Sequence, residues 1–277
     1  MQNAGLAALG LDWRYLAFDV PPDQLGAALQ GAKAMRFIGL NLTVPHKLLA
    51  VPLVDELDAS ARAWSAVNTI RFEARDPTGA WQPLARLAEA PDAPVRAVGF
   101  NTDADAIVQA LRKELGMAVA GARVLLLGTG GAGRTAALKL ASEGVAELSL
   151  VNRTVTRAEA LASELGHAFP GILVRVGYPS GEVDLVLNAT SLGLRSDDPL
   201  PFDQNRWDLH RARAVLDMVY RPAETPLLRV ARTAGCRCAN GLGMLLYQGA
   251  AALEIWSGQK APVDVMRREL EREVYGV

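Results

Sequence analysis

Two polar stretches carry side chains suited to proton transfer. In Asn41-Leu42-Thr43-Val44-Pro45-His46-Lys47 a strand gives way to a helix. With Pro45 as the first helical residue, Val44 takes the N-cap, where Val is a poor choice. Lys47 then falls in the first turn, where the helix dipole disfavours a cation. A lysine whose ammonium form is destabilised suits proton transfer at neutral pH, and a solvated surface lysine is the plainer reading. Asn101-Thr102-Asp103 also closes a strand and opens a helix, so Asp103 is either a reactive carboxylate or, like Thr102, a simple N-cap. Ala66-Val67-Asn68-Thr69 sets a polar pair in an apolar strand, which needs partners if buried. Gln248 shares a helical stripe with Met244 and Leu245 and is expected to point inward. His46, with no partner suggested by its neighbours, reads as structural.

A second kind of chemistry is written in Gly128-Thr129-Gly130-Gly131-Ala132-Gly133, which follows an apolar run and precedes a small-residue helix. Glycines in that setting permit a tight turn and let backbone N–H groups approach a pyrophosphate at the positive end of a helix. A tight turn and nothing more is the alternative. The end of the next strand selects the dinucleotide. An NAD site would place Asp or Glu there for the ribose 2′-hydroxyl. Here stand Asn152-Arg153-Thr154, with Arg157 one turn on, a set that suits a 2′-phosphate and therefore NADP. A helix start capped by Thr154 or Asn152 is compatible with the same residues.

Composition narrows the remaining options. The 277 residues carry 29 Lys+Arg against 30 Asp+Glu, a balance that argues against a nucleic-acid or acidic-membrane binder. Three histidines and two cysteines, scattered without ligand spacing, argue against a Zn or Fe–S site. Cys236 and Cys238 are too close for an unstrained mutual bridge, which fits a reducing cytoplasm. The apolar stretch from Leu242 to Trp256 is interrupted by Gln248, Gly249 and Glu254, so no membrane span is expected.

The elements that must position these residues follow from periodicity. Apolar runs at 123–127, 147–151, 172–176, 183–187 and 214–216 alternate with helical patterns, the signature of a parallel sheet covered on both faces. The fold class expected is α/β, a Rossmann-type doubly wound domain plus a mixed α/β domain. In the first hundred residues Trp13–Val20, Arg36–Leu42, Ala66–Phe72 and Arg96–Phe100 read as strands. Gln2–Leu9, Asp23–Lys33 and Pro45–Leu57 read as helices, and residues 73–94 as a long excursion from a hairpin. Two helices, Leu242–Trp256 and Val263–Glu273, close the chain.

Taken together, these segments resemble the shikimate dehydrogenase family. The match rests on Asn41–Lys47, Ala66–Thr69, Gly99-Phe100-Asn101-Thr102-Asp103, the glycine loop, Asn152-Arg153-Thr154, Asn188-Ala189-Thr190-Ser191, Asp217-Met218-Val219-Tyr220-Arg221-Pro222 and Gly241–Gln248, in family order. The resemblance implies NADPH-dependent, reversible reduction of 3-dehydroshikimate to shikimate in aromatic amino-acid biosynthesis, by a cytoplasmic monomer or homodimer. It implies a substrate domain from residues 1–106, a NADP-binding domain from 107–240, and helices at 241–277 returning to the first, with the active site in the cleft. Lys47 and Asp103 would be the catalytic pair. Thr43, Asn68 and Gln248 would hold ring hydroxyls, and Tyr220 would line the substrate site. Gly128, Gly130, Gly131, Ala132, Gly133, Asn152, Arg153, Thr154 and Arg157 would bind NADP, with Thr190, Met218 and Gly241 beside the nicotinamide. Two alternatives stand beside this: a quinate or aminoshikimate dehydrogenase, or a nucleotide-binding regulator with impaired turnover. The second arises because family members begin with a strand and a Ser-x-Ser-Pro segment that binds the substrate carboxylate. Here Met1-Gln2-Asn3-Ala4 aligns with the helix after it, which leads us to expect a shortened reading frame.

Overall fold

A computed structural model describes residues 1–87 and 93–276, and these divide into two compact units. The first comprises Met1–Asp103 and Gln248–Glu273; the second comprises Ala104–Tyr247 with the residues from Val274 on.

The first unit opens with α1 (Gln2–Ala8) and α2 (Leu25–Ala34) and then builds a five-stranded sheet. In chain order follow β1 (Gly39–Asn41), α3 (His46–Leu49), β2 (Glu56–Leu57), α4 (Ala59–Trp64), β3 (Thr69–Arg75), β4 (Trp81–Pro83) and β5 (Val95–Phe100). The sheet order is β1-β3-β5-β2. β4 pairs with residues 73–75 of β3, beyond the 69–71 stretch that pairs with β1. Val67, Ile70, Phe72 and Ala97 pack beneath it against Leu29 and Ala61.

Two expectations fail in this unit. Trp13–Val20 forms no strand. Its backbone at Tyr15 is satisfied by a side chain instead, Asn3 accepting from the Tyr15 N–H at 2.7 Å and donating to its carbonyl at 3.0 Å. A run of apolar and aromatic residues makes no strand without a ladder partner, and Leu16 and Phe18 stay exposed. The helix expected over Pro45–Leu57 stops at Leu49, where Pro52 has no N–H to continue the i→i−4 ladder to Leu48. The 73–94 excursion is a hairpin of β3 with β4 and a short 3-10 turn at Leu84–Arg86; its residues 88–92 lie outside the described residues.

The second unit is a six-stranded, wholly parallel sheet in the order β11-β10-β9-β6-β7-β8. Its elements begin with α5 (Asp103–Leu115), β6 (Arg123–Leu127), α6 (Gly131–Ser142), β7 (Glu147–Val151), α7 (Val155–Ala168), β8 (Leu173–Val176) and β9 (Val183–Asn188). β10 (Ala212–Asp217), α8 (Pro226–Thr233) and β11 (Arg237–Asn240) complete that unit's sheet, and α9 (Leu242–Ser257) and α10 (Val263–Tyr275) close the chain, their residues 248–257 and 263–273 belonging to the first unit. Continuous apolar strands such as Val124–Leu127 are buried throughout, as a sheet covered on both faces requires. Strand order reverses beside β6, and in such sheets ligands bind at the carboxyl ends of the strands near that point.

Candidate active site

In the first unit, β1 delivers the chain to α3 and β5 delivers it to α5, so two strand ends present Lys47 and Asp103. Lys47 Nζ lies 2.7 Å from Asp103 Oδ2. Both backbones are pinned. The Val67 N–H donates to the Lys47 carbonyl at 2.9 Å, and the Asp103 N–H donates to Asn101 Oδ1 at 3.1 Å. The pair is half-buried, with 29% and 18% of the two side chains exposed, so its attraction is screened less than at the open surface.

The helix geometry around Lys47 differs from expectation. Pro45 takes the N-cap position, after a cis Val44–Pro45 peptide, and α3 begins at His46. Lys47 is still in the first turn, but its ammonium is partnered by a carboxylate. Asp103 is itself the first residue of α5 and therefore not its N-cap. His46 does have a partner, its Nε2 lying 2.9 Å from the Val20 carbonyl.

Beside this pair Asn68 is almost wholly buried. Its Nδ2 donates to Thr102 Oγ1 at 2.9 Å and its Oδ1 accepts from the Thr102 N–H at 2.8 Å. That holds the amide flat and leaves the second Nδ2 proton unspent. Thr69 and Thr102 support it: the polar pair Asn68-Thr69 finds the partners its burial requires, the Thr69 hydroxyl donating to Asn68 Oδ1 at 3.1 Å, and Thr102, read in the sequence only as an N-cap candidate, holds both ends of the Asn68 amide. The Thr43 hydroxyl is exposed and has no partner among the described residues. Gln248 is half-buried on α9, like Met244 and Leu245. Tyr220 is exposed and belongs to the second unit, where its carbonyl accepts from the Tyr275 hydroxyl.

The second unit presents the glycine loop at the end of β6. Gly128 sits at φ +94°, open to glycine and strained for other residues. A Cβ at Gly133 would overlap the Gly128 carbonyl, so the loop closes tightly on the start of α6. At Gly130 and Gly131, by contrast, a Cβ would meet nothing within 4 Å. The absence of side chains there leaves an open approach to the first N–H groups of α6, which no side chain caps. The Thr129 hydroxyl is buried without a partner among the described residues. An exposed, uncapped helix start, an open glycine surface and an orphaned hydroxyl fit a phosphate-bearing dinucleotide.

Asn152 links this loop to the next strand end. Its Oδ1 accepts from the Thr129 N–H at 3.1 Å and its Nδ2 donates to the Thr154 carbonyl at 2.8 Å. Thr154 stands at the N-cap of α7 without a capping hydrogen bond, so neither residue caps that helix. Arg153 and Arg157 are exposed and make no ion pair among the described residues. At the ends of β9 and β10, the Thr190 hydroxyl donates to Asn188 Oδ1 at 2.8 Å, and a Cβ on Gly241 would overlap the Met218 carbonyl. Ala132 is exposed in the first turn of α6.

Nothing among the described residues groups three His, Cys, Asp or Glu side chains for a metal. Burial and the neighbouring Cys238 push the Cys236 thiol up to about 11, far from a thiolate nucleophile. No helix among the described residues is long and apolar enough to cross a membrane.

Comparison with known proteins returns one family in three pieces. Residues 1–70 match the shikimate dehydrogenase substrate binding domain, 109–192 match shikimate / quinate 5-dehydrogenase, and 241–271 match the shikimate 5'-dehydrogenase C-terminal domain. Shikimate dehydrogenase (NADP(+)) of Methanopyrus kandleri is 40% identical over 96% of this chain and 88% of its own. The crystal structure of shikimate 5-dehydrogenase from Thermus thermophilus, in complex with NADP(H) and shikimate, is 33% identical with a TM-score of 0.78, covering 98% of this chain and 92% of its own. The ligand-free 5-ketofructose reductase of Gluconobacter sp. strain CHM43 is 31% identical with a TM-score of 0.80, over 98% and 92%.

Proposed function

The chain belongs to the shikimate dehydrogenase family, and on that premise we propose that it reduces 3-dehydroshikimate to shikimate, reversibly, with NADPH, using Lys47 and Asp103 as the catalytic pair. The observation that carries the assignment of roles is the 2.7 Å contact between Lys47 Nζ and Asp103 Oδ2. NADPH, when bound, supplies the hydride that the ring carbonyl carbon accepts. The oxygen of that carbonyl gains negative charge as its carbon is reduced, and this chain must neutralise it. Lys47 has three N–H donors, of which Asp103 engages one, so the ammonium can hydrogen-bond the oxygen and pass it a proton. Asp103 holds the ammonium charged and aimed until that transfer, and in the reverse reaction the neutral Lys47 amine takes the hydroxyl proton back.

Thr43, with its exposed unpartnered hydroxyl, Asn68, with one free amide proton, and Gln248 are suited to the ring hydroxyls. Tyr220 is assigned to the substrate as well. The glycine loop, with Ala132 and Asn152, is assigned to the pyrophosphate, and Arg153, Thr154 and Arg157 to the 2′-phosphate, which is the basis for NADP over NAD. Thr190, Met218 and Gly241 are assigned to the nicotinamide. Because the 5-ketofructose reductase shares this fold, the fold leaves the substrate open; what supports 3-dehydroshikimate is the run of relatives named shikimate dehydrogenase (NADP(+)). The test follows NADPH absorbance with 3-dehydroshikimate, with quinate-series ketone and with 5-ketofructose. NADPH consumed one for one with 3-dehydroshikimate, and far more slowly with the other two, is the expected result. Turnover of either alternative in preference would displace the substrate assignment.

A further inference from the structure

Asp217 ends β10 fully buried, and none of its partners is a cation. Its Oδ1 accepts from Asn188 Nδ2 at 2.8 Å and from the Val219 N–H at 3.0 Å, and its Oδ2 accepts from the Thr225 hydroxyl at 2.6 Å. A carboxylate taken into a core without a counter-charge is costly compared with an apolar residue of similar size. Desolvation accordingly pushes its carboxyl above the usual carboxylate range. Packing alone gives no reason for an acid at this position.

What Asp217 holds does give one. Asn188 ends β9 in register with Asp217, and its free oxygen accepts from both the N–H and the hydroxyl of Thr190, at 3.0 and 2.8 Å. Its Nδ2 also reaches the Leu192 carbonyl at 3.1 Å. On the other side, Val219 directly follows Met218, and its carbonyl accepts from the Gly241 N–H at 3.2 Å. Thr225 caps α8 through the Leu228 N–H at 3.2 Å. The Thr225–Pro226 pair announces that helix start in the sequence, a signal the sequence reading passed over. One buried carboxylate therefore ties together the segments that carry Thr190, Met218 and Gly241.

We propose that Asp217 is a positioning residue that, through Asn188 and Val219, sets where Thr190 and Met218 stand and so aligns the nicotinamide half of the bound dinucleotide. This rests on the assignment of those residues to the nicotinamide. It separates Asp217 from Arg153, which is assigned to the other end of the same molecule.

The experiment uses the full chain and reads two things besides turnover: the emission of bound NADPH, which reports the nicotinamide surroundings, and the affinity for 2′,5′-ADP, which lacks a nicotinamide. Asp217→Ala is expected to lower kcat by roughly ten- to a hundredfold and to alter the bound NADPH emission, with 2′,5′-ADP affinity unchanged. Asp217→Asn recovers most of both, because its oxygen can still accept from Asn188 and Val219 while its amide faces the Thr225 oxygen. Asn188→Ala, in the same network, reproduces the alanine effect should Asp217→Ala not fold. Unchanged kcat and emission in folded Asp217→Ala or Asn188→Ala overturns the proposal. So does 2′,5′-ADP affinity falling in step with kcat, which would mean a general loss of structure. Failure of the underlying assignment reads differently: the wild-type chain would then leave NADPH emission unchanged on mixing.

Discussion

Lys47 and Asp103 are 56 positions apart in the chain, yet Nζ of one lies 2.7 Å from Oδ2 of the other. Each is set at the end of its own strand, and each backbone is fixed by a neighbour, Val67 for Lys47 and Asn101 for Asp103. The charges are thus placed by the sheet rather than by flexible side chains. Asp103→Asn keeps the shape but strips the half-buried ammonium of its counter-charge. We expect kcat to fall by about 10²-fold or more, with the dissociation constant for NADPH unchanged. Equal losses in both quantities would point to a structural role for Asp103.

Arg153 tests the cofactor assignment. An arginine that pairs with a 2′-phosphate contributes about 1.5–3 kcal/mol, or roughly ten- to a hundredfold in affinity. Arg153→Ala is expected to weaken NADP binding by that factor and to leave NAD binding as it was. Fluorescence titration of both reduced cofactors decides it, and equal affinities before and after the change would remove Arg153 from the site.

Gly131 and Gly133 separate ligand contact from folding. At Gly133 an added methyl overlaps the Gly128 carbonyl, and forcing it in costs about 1–3 kcal/mol of stability. At Gly131 the same methyl enters open space, so stability holds or rises by up to ~1 kcal/mol. If the glycine loop holds the pyrophosphate as proposed, Gly131→Ala weakens NADP binding nevertheless, because the methyl would stand in the phosphate's approach. Urea melts and NADP titrations of the two variants give the two readouts.

How far these residues could be read in the sequence varied with their surroundings. Val124–Leu127 and Val183–Leu187 with its single Asp184 announce themselves because strands buried on both faces are nearly continuously apolar. Trp13–Val20 has the aromatic and apolar content of a strand and still forms none, since pairing depends on a partner that no local pattern reveals. Pro52 marked the early end of α3, but the apolar run around it masked the signal. Likewise Asn68 and Asp103 were visible as polar residues in odd places, whereas Thr102 and Thr225 matter through contacts made only in the folded chain.

The acid limit of stability should show Asp55. Burial alone would raise its carboxyl, but the Ala97 N–H at 2.6 Å and the Lys33 ammonium at 2.5 Å outweigh it and hold it below the usual range. A depressed carboxylate stabilises the fold above its unfolded value, and that contribution is lost as pH falls through the folded one. Asp55→Asn should therefore be less stable than wild type at neutral pH, with the gap closing below about pH 4. Urea unfolding of both proteins across pH checks this; a gap that stays constant into acid contradicts it.

Lys47→Ala puts the central claim to its most direct test. NADPH oxidation is followed with saturating 3-dehydroshikimate, and NADPH binding is measured on the same preparation. If Lys47 protonates the developing alkoxide, kcat drops by about 10²–10⁴-fold while NADPH affinity stays at the wild-type value. Turnover equal to wild type would contradict that role outright.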